Sequence, residues 1–334
     1  MFAPSERLRL MRYSPRRLLS LCVLSLLLTT APAMDNQKAV AARAHGGSSG
    51  FAVRVLVITM FSYETAPWLK NERLPLTFHV PGAYSPLWCN PNGLCVMTTN
   101  EGKTNAATSL MAVLLNPQFS FAHSYFLTAG IAGTPPNVGT LGFAAWARWV
   151  VDWDLGHHLL PQTAPGTPYG YLPLTNMGTN VFHLNERLAN LAYRVTRGLK
   201  LVDTSEAVAN RKHYPGQAGK HPYVALCDTV TGDDYWGGQT LSQEAQYITK
   251  VWTKGAGRYC TTEMEDTAVA AALQRLGYLN RYLNLRTASD FDQPYSGEST
   301  VTALNSFPGA TAAFANAYLV GSTMAHYLLT HPGA

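Results

Sequence analysis

No cluster of Lys and Arg interleaved with aromatic residues occurs along the 334 residues. The chain therefore lacks the electrostatic footprint of a nucleic-acid-binding surface, and no nucleic-acid partner is expected. No C-x-x-C pair and no group of histidines completes a four-ligand set, which leaves zinc as the weaker reading of the cysteines. Asp152, Asp154, His157 and His158 come nearest to a metal cluster, but acids and histidines at a strand-to-loop edge are read here as solvated groups, so neither a metal nor a cofactor is expected. No internal repeat marks a solenoid or propeller. Long apolar runs are scarce too. Residues 18–28 make eleven, about half of what a ~30 Å hydrocarbon layer needs as a helix. Residues 307–329 carry no Asp, Glu, Lys or Arg, but Asn316, Ser322, Thr323 and His326 follow an opening Pro308-Gly309. That segment is expected to be a helix packed on a sheet, without stable membrane insertion.

What is present begins with a leader. Arg7, Arg9, Arg12, Arg16 and Arg17 precede the apolar run, and Ala31-Pro32-Ala33 follows it, the pattern of a secretory signal peptide with an A-x-A cleavage site over residues 1–33. The formal charge of +5 belongs to that leader: without its five basic residues and one acidic residue, twenty basic stand against nineteen acidic, a net +1. Residues 34–50 read as a flexible lead-in, and 51–334, in a chain 47% apolar, suffice for one large core. Export to a periplasmic or extracellular location permits disulfides. Cys22 leaves with the leader, and four cysteines remain. Cys89 and Cys95 flank the turn sequence Asn90-Pro91-Asn92-Gly93, which favours their pairing and leaves Cys227 for Cys260.

Strands and helices alternate. Residues 53–59 form an apolar first strand with Glu64 just past its end, 94–99 a second, and Gly102-Lys103-Thr104-Asn105 opens a helix to about 115. Residues 125–128 make a third strand ending in Ala129-Gly130-Ile131-Ala132-Gly133. Residues 143–151 read as one further strand, 186–199 as an amphipathic helix, and 223–227 as a strand leading into Thr231-Gly232-Asp233-Asp234-Tyr235-Trp236. Residues 156–180, with Pro161, Pro165, Pro168 and Pro173, read as a surface loop able to cover a pocket. The alternation predicts a single α/β domain around a central sheet. Two acids stand out in it. Glu265 follows a strand over 257–262 and opens a helix over 266–276 that Gly277 stops; Asp290 follows Ser289 at the end of a strand over 282–288. In open α/β sheets the carboxyl ends of strands are where ligands bind, so both acids should face one crevice.

Four ordered stretches, Thr128 to Gly133, Thr231 to Trp236, Glu263-Met264-Glu265-Asp266 and Arg286-Thr287-Ala288-Ser289-Asp290, resemble the purine nucleoside permease family, whose sequences look like members of the nucleoside phosphorylase and nucleosidase superfamily. The resemblance runs from Val53 to about His331. It implies a three-layer α/β/α fold with a central mixed sheet, a purine nucleoside as ligand, and a homo-oligomer of unstated symmetry. By similarity to methylthioadenosine and adenosylhomocysteine nucleosidases, Glu265 would hold the ribose hydroxyls with Met264 beneath the sugar. Tyr235, beside Trp236, would stack on the base, and Ala132 and Gly133 would lie against the purine. Asp290, oriented by Ser289, would protonate the leaving base, and Glu64 would activate water. Phosphorylases of the superfamily follow the first strand with a phosphate loop bearing an arginine. Here Met60-Phe61-Ser62-Tyr63-Glu64 supplies no cation, which favours hydrolysis.

Plainer readings stand beside these. Glu265 could cap its own helix, Asp290 could be a turn residue, and Tyr235 and Trp236 could be packing aromatics. The functional alternatives are a non-catalytic nucleoside-binding component of uptake and a phosphate-dependent phosphorylase. Alternating-access transport itself needs several membrane spans, which this sequence does not offer.

Overall fold

Val55–Thr59 (β1) is buried at every position, so it needs cover on both faces. The computed structural model, which describes residues 50–333, provides it. The expected leader and all of the lead-in except Gly50 lie outside the described residues. Around β1 gather Leu76–Phe78 (β2), Leu87–Cys89 (β3), Leu94–Thr98 (β4), Tyr125–Thr134 (β5), Ala144–Trp146 (β6), Trp149–Asp152 (β7), Val181–His183 (β8), Val224–Leu226 (β9), Asp228–Thr231 (β10), Tyr259–Glu263 (β11) and Tyr282–Phe291 (β12). They form one twelve-stranded mixed sheet in the order β8-β7-β10-β11-β5-β1-β4-β3-β2, with β12 parallel to β5, and β6 joining β12 to β9. The helices are Ser62–Asn71 (α1), Lys103–Leu114 (α2), Glu186–Thr196 (α3), Ser205–Arg211 (α4), Gln239–Trp252 (α5), Asp266–Arg275 (α6), Thr300–Leu304 (α7) and Ala310–Thr330 (α8).

The period-2 alternation of β1 sorts them into layers. Leu56 and Ile58 join a cluster with Leu110 of α2 and Val269 and Leu273 of α6. Val55 and Val57 join Trp68 of α1, Leu188 of α3, and Val320 and Met324 of α8 on the other face. This is the expected α/β/α sandwich. The segment free of Asp, Glu, Lys and Arg is indeed a helix laid on the sheet, and no described helix is long and apolar enough to cross a membrane.

Several boundaries differ from expectation. The third strand does not stop at Thr128 but continues to Thr134, because β12 pairs with it along its whole length. The strand expected over 143–151 is two: β6 pairs with β9 and β12, while β7 pairs with β8 and β10. Buried Asp228 makes the break, its Oδ1 accepting from the backbone N–H groups of Arg148 and Trp149 at 3.0 and 2.9 Å. Helix α1 went unread because Pro67 lies inside it; burial of Trp68 against Tyr318, ring centroids 5.2 Å apart, holds it in place. Residues 156–180 form a hairpin that reaches toward α5 through a Trp252–Tyr171 hydrogen bond rather than covering a pocket.

Both disulfides pair as expected, Cys89 with Cys95 and Cys227 with Cys260. Sequence separations of 6 and 33 set their loop-closure contributions at about 2 and about 3–4 kcal/mol. Replacing each pair by Ser should lower the free energy of urea unfolding in that order, with the Cys227–Cys260 pair costing more.

Candidate functional site

The turn from β11 into α6 brings three acids together, and one cation from β12 makes that tolerable. Arg286, 2% exposed, donates from Nε to Asp266 at 2.8 Å and from one terminal nitrogen to Asp266, Glu263 and Glu265 at 2.8, 2.9 and 3.1 Å. Its other terminal nitrogen reaches the Ile131 carbonyl at 3.0 Å. Burial opposes the charge of the guanidinium, but Asp266, Glu263 and Glu265 outweigh it. Glu263 turns inward: its Oε2 accepts from the N–H groups of Glu265 and Asp266, and its Oε1 from Thr231. Burial, then Asp266, pushes its pKa well up. Glu265 sits at the N-cap of α6 without capping it. Its Oε1 accepts instead from the Gly102 N–H at 2.8 Å, at the start of α2. Burial raises its pKa against the pull of Arg286.

Glu64 lies not in a loop past β1 but in the first turn of α1, 2% exposed. It accepts from the N–H groups of Met60 and Ile131 at 2.7 and 2.8 Å. Burial nonetheless lifts its pKa to about 7, opposed mainly by Arg286. Gly130 is what lets these groups meet: a Cβ there would stand 2.4 Å from the Met60 methyl, 2.8 Å from Arg286 and 2.9 Å from Glu64.

Asp290 is set by a bulge. The β12–β5 register shifts between Ala288 and Asp290, so Ser289 is an extra residue, and two consecutive side chains face one cavity where strict alternation would allow one. Ser289 donates to Asp290 Oδ1 at 2.6 Å; Oδ2 lies 3.2 Å from where a Cβ on Gly133 would be. Burial raises the pKa of Asp290 to about 6, against the Ser289 hydrogen bond.

The cavity has a volume of about 480 Å³, within the usual range for small-molecule sites. All nine expected residues line it: Glu64, Ala132, Gly133, Tyr235, Trp236, Met264, Glu265, Ser289 and Asp290. Tyr235 is 47% exposed, near Phe307, whereas Trp236 is buried and stacks on Trp153 at 4.9 Å, so its ring is largely committed to packing. Residues the sequence reading passed over complete the lining. Arg286 stands inside one of the four family-like stretches, and a basic residue midway along a strand that follows the acids of Glu263 to Asp266 was its signal. Phe61, Tyr63, Phe307 and Phe314 form an aromatic collar, in which Tyr63 stacks on Phe314 at 5.9 Å. No periodicity marked them. No part of 156–180 lines the cavity. Asp152, expected to be solvated, is 2% exposed and paired with Lys103, and His158 is held by Glu244.

A family model described as purine nucleoside permease matches residues 52–332. The chain belongs to the purine nucleoside permease family. A probable purine nucleoside permease of Schizosaccharomyces pombe is 33% identical over 322 residues, covering 86% of this chain and 92% of that one. A purine nucleoside permease of Candida albicans is 32% identical over 300 residues, covering 82% and 74%. In structure, this permease-family chain is similar to the 5'-methylthioadenosine/S-adenosylhomocysteine nucleosidase of Neisseria meningitidis, at 18% identity and a TM-score of 0.51, covering 82% and 99%. It is equally similar to the futalosine hydrolase of Helicobacter pylori, at 16% identity and a TM-score of 0.51 over 82% and 98%. These likenesses establish the nucleoside phosphorylase-like fold.

The raised pKa of Asp290 has a stability consequence. The folded permease-family chain keeps that proton to about pH 6, whereas a carboxyl in the unfolded chain releases it near 3.8. Between those values the folded state binds more protons, so stability falls as pH rises and stays lower above pH 6. Asn carries no such cost. Asp290→Asn should be more stable than the native chain at pH 8, on the order of 2–3 kcal/mol in urea unfolding, with the gap closing as pH falls to about 4.

Proposed function

We propose that this protein is an exported purine nucleosidase: it binds a purine nucleoside in the 480 Å³ cavity and hydrolyses its N-glycosidic bond. The observation that carries the reading is the contrast between two acids in one cavity. Glu265 is held by Gly102 and Arg286 as an acceptor suited to sugar hydroxyls, which are donors. Asp290 has only the Ser289 hydroxyl and keeps its proton to about pH 6. An acid whose pKa is raised to about 6 still carries its proton in part of the molecules near neutral pH and can donate it to the departing base, whose poor leaving ability is the chief obstacle to cleavage. Glu64, fixed by two backbone donors, takes the proton of the attacking water. The proton count closes: Asp290 gives one to the base, Glu64 receives one from water, and the hydroxyl adds to the sugar. The disulfides and the expected leader support export.

Electrostatics favours water over phosphate. Six acidic side chains and one guanidinium are among the described residues lining the cavity, the acids being Glu64, Glu101, Asp234, Glu263, Glu265 and Asp290, and the donors of the guanidinium are already taken. A phosphate dianion would find no free cation among the described residues lining it.

Incubation with adenosine, inosine and guanosine, with and without phosphate, tests the reading. Free base should appear without phosphate, and the rate should peak between about pH 6 and 7, since Glu64 must be ionised and Asp290 protonated. Asp290→Asn should lower turnover by about 10²–10⁴ and leave binding intact. Binding with no base released by the native chain would replace the enzyme by a nucleoside carrier, and release only with phosphate would make it a phosphorylase.

A further inference from the structure

We propose that Lys103 is the positioning residue that sets Glu265 for the ribose hydroxyls, an assignment that rests on the nucleoside-pocket reading above. The turn leading into α2 is shaped by residues that favour its backbone. Asn100 and Gly102 both have left-handed backbones, with φ of 67° and 89°. Local preference bends the turn but does not place it against its neighbours, and Lys103 is where it is held. Its Nζ lies 3.0 Å from Asp152 and 2.6 Å from Asp154, and its backbone N–H donates to Asp233 at 2.7 Å. The Asp233 N–H in turn donates to Asp154 at 2.8 Å.

Lys103 thereby joins three segments, its ammonium reaching the second and its backbone N–H the third. The first is the turn itself, which offers the Gly102 N–H to Glu265 at 2.8 Å and Glu101 to the cavity. The second, the end of β7 and the turn beyond it, carries Asp154 and Asp152, and Asp152 also accepts from Thr267 Oγ1 at 2.9 Å in the first turn of α6. The third runs into Asp234, Tyr235 and Trp236 of the cavity wall. Glu265 is thus gripped from its own helix, through Thr267 and Asp152, and from the facing turn, through Gly102. Removing the charge of Lys103 leaves Asp152 buried without its cation and lets the turn drift. The N–H that orients one oxygen of Glu265 drifts with it.

The measurement is a ratio of affinities. Calorimetric titration of the purified chain with inosine and with 2',3'-dideoxyinosine, each form carrying Asp290→Asn so that the nucleoside is bound and not cleaved, reads how much of the binding comes from the sugar hydroxyls. The form that keeps Lys103 should favour inosine, and Lys103→Met should shrink that preference about tenfold while the dideoxy ligand binds as before. Lys103→Arg should restore most of it. Asp154→Asn, which cuts the part-exposed end of the clamp, should shrink it by a smaller factor, and it reads the same quantity if Lys103→Met does not fold. Equal weakening of both ligands, or an unchanged ratio in the folded variants, overturns the assignment while leaving the pocket reading in place. A form that keeps Lys103 and binds neither ligand removes both.

Discussion

Three carboxylates cannot be buried side by side without a cation among them, and Arg286 is that cation. Its guanidinium ties the middle of β12 to the β11–α6 turn and, through Ile131, to the second half of β5. The planar fork suits this: a Lys ammonium would place one charge where Arg places several directed donors. The roles of the acids follow from where those donors go. Asp266 receives two of them and is used up. Glu263 is consumed by the backbone of the turn and by Thr231. Glu265 lines the cavity and divides its oxygens between Arg286 and the Gly102 N–H at the start of α2.

The same arrangement decides what the cavity can accept. The only guanidinium among the described residues that line it is spent on protein carboxylates and the Ile131 carbonyl, so a ligand has to bring donors or apolar surface rather than negative charge. Hydroxyl-bearing sugar beside Glu265 and a flat apolar base within the aromatic collar meet both demands. Glu265 and Asp290, two acids of one cavity, differ in their partners. Glu265 has charged and backbone donors, while Asp290 has a single hydroxyl, and burial then acts on Asp290 with little to oppose it.

Much of this was legible in the sequence, for identifiable reasons. β1 and α8 announce themselves through runs of apolar residues, and the cysteine pairs through a turn and an even count. Glu265 and Asp290 sit where strands end, so knowing the strands located them. The ten-residue reach of β5 was hidden because its glycines read as a loop, whereas Gly130 and Gly133 are there to admit the Glu64, Arg286 and Asp290 side chains. The split between β6 and β7 was invisible because its cause, Asp228, lies about eighty residues away in the chain. The collar draws on α1, α8 and the segment between α7 and α8; contact across such distances leaves no local pattern.

A cavity of this kind works against the stability of the chain that holds it. Glu64, Asp290 and Asp292, each buried and each with a pKa raised to about 6 or 7, disfavour the folded state once ionised. Asp292 even keeps one oxygen without a hydrogen-bond partner. The compensation is placed close by. Cys260, on the strand that ends in Glu263, is tied to Cys227 at the junction of β9 and β10, and its carbonyl accepts from Thr134 at the end of β5. A cross-link at that point restrains the unfolded chain and pins the strands whose ends carry the acids, so the site's cost and part of its remedy lie within the same few residues of sheet.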